Sequence, residues 1–284
     1  MNDKIRLTLN IFVCIIMVFA LTGTTGAVLA DRCYTPEYVI SQVEKTDTYE
    51  NAYNSLMKKF SDNYSVSSVP VEVYEKSYTR EWMKNSIDEK IRSSFENRDA
   101  VTEPSQAKEN ITGYFEDYAH KAHVIKDEIY ENKLAESIEY AEKTAAETAD
   151  VCSFDAMKRA GITNKLSRYI GIVRKYIMIC FAALAVLLIV LILLKRPVYW
   201  TGTALFAAGM LLMIPSVYVK VNDMIGKFSL KDYTTYTLVT GTLSSLTDIV
   251  LTTGVVMLIA GIIMLAAGIA GNMKKQSPHG NKKQ

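Results

Sequence analysis

The sequence predicts an all-α integral membrane protein with four transmembrane helices, three if the first is removed as a signal peptide, and an exported three- or four-helix bundle between the first and second. Three observations lead there. Four apolar stretches come close to or exceed the roughly 20 residues that cross a hydrocarbon core of about 30 Å. Charge is unevenly divided: residues 31–168 hold 26 Asp and Glu against 19 Lys and Arg, a net of −7, while the remainder holds 4 acids against 13 bases, +9, so the whole-chain value of +2 conceals two compositions. Strand-period alternation is confined to the brief "VPVEVY" at 69–74.

The first stretch, Leu7 to Ala30, is uncharged and follows Lys4 and Arg6. Val28-Leu29-Ala30 ahead of Asp31 resembles a signal cleavage site, whereas the length of the stretch favours a retained anchor. Export of the following segment is expected in both cases.

Residues 31–168 form the predicted acidic exported domain. Thr35-Pro36-Glu37 is a helix start: a hydroxyl cap, a proline where no N–H is needed, and an acid at the positive end of the dipole. Val39, Val43, Thr46, Tyr49, Tyr53, Leu56 and Phe60 then share one helical face. After "SDNYSVSSVP", a second helix is expected from Pro70 to about Asn97, with Tyr74, Trp82, Ile87, Ile91 and Phe95 inward. Beyond the loop "NRDAVTEPSQ", a third runs from about Ser105 to Val151. Its stripe Ile111, Phe115, Tyr118, Ala122, Ile125, Ile129 slips to a second one, Leu134, Ile138, Ala141, Ala145, which predicts a bend near Asn132. A fourth helix, Phe154 to Arg174, leads into the second span. The expected core is rich in tyrosine.

The second span is 176–194, the third 198–219 and the fourth 249–271, with a tight turn of Lys195, Arg196 and Pro197 between the second and third. A Lys–Arg pair inside one buried helix would be costly; between two spans it falls at a membrane surface. Segment 220–247 is a short outer connection. Ser229 to Asp232 there resembles a capping box, and its Thr/Ser-rich part extends the fourth helix outward. Residues 272–284 form a basic tail. Bases in short loops stay in the cytoplasm, so Lys4, Arg6, Lys195, Arg196 and the tail place both termini inside the cell membrane and residues 31–168 outside.

Candidate chemistry is sparse. Asp117, His120, His123 and Asp127 fall near one face if they share a helix and offer donors suited to a transition metal. Cys33 and Cys152 lie on the expected outer side and are candidates for a disulfide, while Cys14 and Cys180 read as small hydrophobes. Asn63 and Asn110 begin glycosylation triplets. Gly202, Gly209 and Ser216, and separately Gly254, Gly261 and Gly268, recur every seven residues, giving small-residue stripes for close helix packing, with self-association as the sharper alternative.

No P-loop, nucleophile elbow, paired zinc-ligand motif or dinucleotide fingerprint occurs, so no enzyme activity and no cofactor are expected. The basic residues border apolar runs instead of forming a patch on the soluble part, which argues against nucleic acid. The expected partners are the lipid bilayer and a protein or envelope component met by the exported domain. The alternative is a ligand-sensing or auxiliary subunit of a larger membrane complex.

Overall fold

A computed structural model describes residues 3–102, 105–230 and 232–276. The described residues form helices and their connections, with no strand. In chain order the helices are α1 (Asp3–Cys33), α2 (Pro36–Lys45), α3 (Thr48–Asp62), α4 (Tyr64–Ser67), α5 (Val71–Ser77), α6 (Arg80–Glu96), α7 (Ala107–Ala122), α8 (Glu128–Ala149), α9 (Phe154–Arg159), α10 (Ile162–Leu193), α11 (Pro197–Val221) and α12 (Tyr233–Gln276). They make two compact units: Thr35–Arg168 with Ser229–Gly241, and Met1–Tyr34 with Tyr169–Phe228 and Thr242–Gln284.

The first unit is a bundle of short helices. Thr35 caps α2 by accepting a hydrogen bond from the Tyr38 amide at 3.2 Å, and Pro36 takes the first helical position. The single helix expected over 36–60 is two helices. The Thr46 hydroxyl donates back to Gln42 O at 2.8 Å and meets the Thr48 hydroxyl at 2.7 Å, while Asp47 is left-handed at φ 51. Such local side-chain bonds compete with the helical ladder. The expected second helix likewise divides where Thr79 turns extended and its hydroxyl accepts from the Trp82 amide at 3.1 Å, starting α6 afresh. Asn97, at φ 55, ends it.

The third expected helix breaks between His123 and Asp127 rather than near Asn132. His123 is left-handed at φ 53, and the Asp127 carboxylate accepts from the Tyr130 amide at 3.0 Å, with Glu128 and Glu131 in the first turn of α8. A carboxylate cap with two following acids complements the helix dipole and makes a better start here than a helix interior. Further on, Gly161 at φ 68 separates α9 from α10, a conformation open to glycine at no steric cost.

The inward faces nonetheless meet. Phe60 stacks on Tyr74 with centroids 3.9 Å apart and on Tyr78 at 5.7 Å, and Tyr140 meets it edge-on. Leu56, Met83, Ile87, Ile91, Ile111, Ala141 and Ala145 complete the core. Leu238, in the first turns of α12, is buried in the same core, and the Thr235 hydroxyl donates to Val151 O at 2.9 Å. The cap of α12 is Asp232, which accepts from the Thr235 amide at 2.7 Å, in place of a box opened by Ser229.

The second unit contains the apolar helices. α1, α10, α11 and α12 are each long and apolar enough to cross a membrane. Only 6% of the most apolar stretch of α10 is buried against protein. Such a surface belongs in a hydrocarbon solvent, where leaving it outward costs nothing. Val13, Cys14, Met17 and Val18 of α1 form a small core with Ala204 and Ala208 of α11, and the Cys14 thiol lies 3.7 Å from Trp200 O. Arg174 pairs with Asp31 at 2.7 Å, tying α10 to α1, and Lys220 pairs with Asp248, tying α11 to α12.

Candidate functional site

The clearest close approach in the molecule lies along the small-residue stripes. A Cβ added at Gly209 would stand 2.7 Å from Gly254 O and Leu258 N, one at Gly261 would stand 2.5 Å from Phe206 N, and one at Gly202 would stand 2.8 Å from Leu265 N. Gly254 and Gly268 face Met213 N and Tyr199 Cα just as tightly, at 3.0 Å each, and Ser216 is buried with its hydroxyl returned to Leu212 O. The two stripes therefore bring α11 and α12 together backbone to backbone within the chain.

At the turn preceding α11, Lys195 (φ 65) and Arg196 (φ 68) are both left-handed, and Pro197 opens the helix. Two consecutive side-chain-bearing residues in that conformation make a reversal only a few residues long, with Tyr199 and Trp200 edge-to-face at 5.3 Å beside it.

The four proposed metal ligands do not share a helix. Asp117 and His120 are exposed on α7, His123 is the left-handed residue that ends it, and Asp127 is spent capping α8. Among the described residues no three His, Cys, Asp or Glu side chains form a metal-holding group. Cys33 belongs to the apolar unit and Cys152 to the bundle, and each is a thiol in this structure. Cys152 packs on the bundle core, where burial, followed by the nearby Asp150 charge, pushes its thiol up to about 11. The thiolate needed for exchange is disfavoured there. Of the two glycosylation triplets, Asn110 already donates its side-chain amide to the buried Ser77 hydroxyl at 3.1 Å. The basic tail beyond Gln276 and Lys231 of the expected capping box lie outside the described residues.

Two features of the bundle were not legible in advance. The first is an exposed apolar cluster at the α7–α8 junction: Tyr118, Val124, Ile125 at 80% exposure and Ile129 at 71%. The sequence places Tyr118, Ile125 and Ile129 on an inward stripe; in the structure all three are exposed, the last two beyond the break at His123.

The second is a cavity of about 260 Å³ between the start of α6, the 97–106 loop and α8. Tyr78 and Trp82, edge-to-face at 4.9 Å, form one wall, and Ala146 and Ala149 offer small methyl groups. Thr102, Ser105 and Glu142 supply its polar groups. Burial pushes the Tyr78 phenol up to about 12; the neighbouring Ser105 hydroxyl offsets part of that and the Glu142 charge adds to it. The phenol oxygen is fully desolvated and makes no well-formed hydrogen bond among the described residues. The phenol is held protonated beside two hydroxyls and one carboxylate. The cavity's sequence signal is the aromatic Tyr78 directly before the cap Thr79, with Trp82 three residues after that cap.

No family model, curated protein or solved structure matches this chain.

Proposed function

We propose that this is a multi-pass protein of the cell membrane that holds its acidic helical domain outside and offers it to a protein partner or an envelope component. The observation that carries the partner is the apolar cluster Tyr118, Val124, Ile125 and Ile129 at the α7–α8 junction. Large apolar side chains left this exposed on a polar domain are what an interaction surface requires. The orientation rests on Lys4, Arg6, Lys195 and Arg196 flanking apolar helices at short segments. Packing of Val13, Cys14 and Met17 against α11 supports α1 as a retained anchor, since its removal would uncover Ala204 and Ala208.

A photo-crosslinking residue at Ile125 in native membranes tests the partner. The expected result is a reproducible crosslinked protein that disappears with Ile129→Ser; the same product from a probe at Glu72, on α5, would refute it. A reporter active only in the cytoplasm, fused at Gln284, is expected to be active, and a silent fusion would reverse the orientation.

The 260 Å³ cavity favours a second reading, ligand sensing by the same domain. In this reading the domain passes its state to another membrane subunit. A compound that alters crosslinking from Ile125 would support this reading.

A further inference from the structure

We propose that the cavity beside Trp82 binds a small organic cation, a quaternary ammonium or protonated amine, held between the aromatic wall of Tyr78 and Trp82 and the carboxylate of Glu142. The inference deepens the sensing reading and rests on it for its biological role; its chemistry is tested separately.

Three observations converge on a cation. One wall is aromatic, formed by Tyr78 and Trp82, and indole and phenol rings attract positive charge through their quadrupoles, indole most strongly. Among the described residues lining the cavity the one charged side chain is Glu142, and it is close enough to the Tyr78 oxygen for its charge to be felt there. An anion would meet that carboxylate with no cation to oppose it among the described lining residues, which disfavours phosphates and carboxylic acids as occupants. The methyl groups of Ala146 and Ala149 suit N-methyl or short alkyl groups, and Thr102 and Ser105 offer hydroxyls for a polar substituent. At about 260 Å³ the space fits a molecule of a few heavy atoms and no polymer.

Trp82 is one of only two tryptophans in the chain, so Trp200→Phe leaves it as the sole indole reporter in the full-length protein. Choline is the probe and 3,3-dimethylbutan-1-ol, its uncharged isostere, the control. The expected result is a saturable change in Trp82 fluorescence with choline, at least about tenfold weaker with the isostere. Glu142→Gln is expected to weaken choline about tenfold without altering the circular dichroism, and Ala146→Leu, which fills the cavity and leaves its charge intact, to abolish binding. Equal binding of choline and isostere, undiminished binding in Glu142→Gln, or no saturable response would each overturn cation recognition. Equal binding would leave a ligand site in place and sensing intact, whereas cation binding that leaves Ile125 crosslinking unchanged would uphold the site and remove its sensing role.

Discussion

The two units build their interiors by opposite means. In the bundle, space is filled: Phe60, Tyr74, Tyr78 and Tyr140 put large rings together, and the chain is interrupted at Thr46, Thr79 and Asp127, where a hydroxyl or carboxylate offers the backbone another partner. α2 has 10 residues, α7 16 and α8 22. In the apolar unit, space is removed: Gly202, Gly209, Gly254 and Gly261 let backbones touch, while the large side chains of α10 point away from protein. There α1, α10 and α12 have 31, 32 and 44 residues. Water rewards burying volume; a hydrocarbon solvent does not, so close backbone contact and van der Waals packing take over.

Deleting volume should therefore harm one unit and adding volume the other. Phe60→Ala is expected to have the largest effect, about 3–5 kcal/mol on the bundle, from lost transfer energy and the cavity left among three rings. Chemical denaturation followed by circular dichroism measures it. Gly209→Ala is expected to cost about 1–3 kcal/mol by overpacking, read as a lower midpoint temperature of the detergent-solubilised protein, whereas alanine at the exposed Gly113, which meets nothing within 4 Å, is neutral or stabilising. A tolerated Gly209→Ala would end the contrast between the units.

Thr79→Ala probes the interruptions themselves. Loss of its bond to the Trp82 amide is expected to cost about 1 kcal/mol, and because α6 then begins less firmly, Trp82 fluorescence is expected to shift as well. The smallest effect is electrostatic. The Arg98 guanidinium and the Val101 amide hold the Glu89 carboxyl below its ordinary value of 4.5. A depressed carboxyl adds stability that is present above that value and lost as pH falls below it. The difference in midpoint temperature between the wild type and Arg98→Met is thus expected to narrow as pH drops through 4.5. It is modest at any pH, since Arg98 is 41% exposed and screened by solvent.

The same contrast explains what sequence reading achieved. The four apolar helices were legible because length and absence of charge are themselves the signal, and the seven-residue glycine interval was legible because two turns return to one face. The divisions at Asp47, Thr79 and His123 were not. Val43 and Tyr53 stay on one face across the first division, and Tyr74 and Ile87 across the second, so periodicity alone shows no break. The proposed metal quartet failed for this reason: it assumed a helix that continued past His123. The cavity was hidden because Glu142 is far along the chain from Tyr78 and Trp82 and becomes their neighbour only when α6 and α8 pack.

The glycine contacts between α11 and α12 have a kinetic consequence. Sliding one helix along the other by a single residue would drive Phe206 or Leu258 into a backbone with no room for it. The next register that again sets small residue against small residue is seven positions away, about 10.5 Å at 1.5 Å per residue. Leaving the present register therefore requires the helices to part before they can slide, which resists creep of the pair under load.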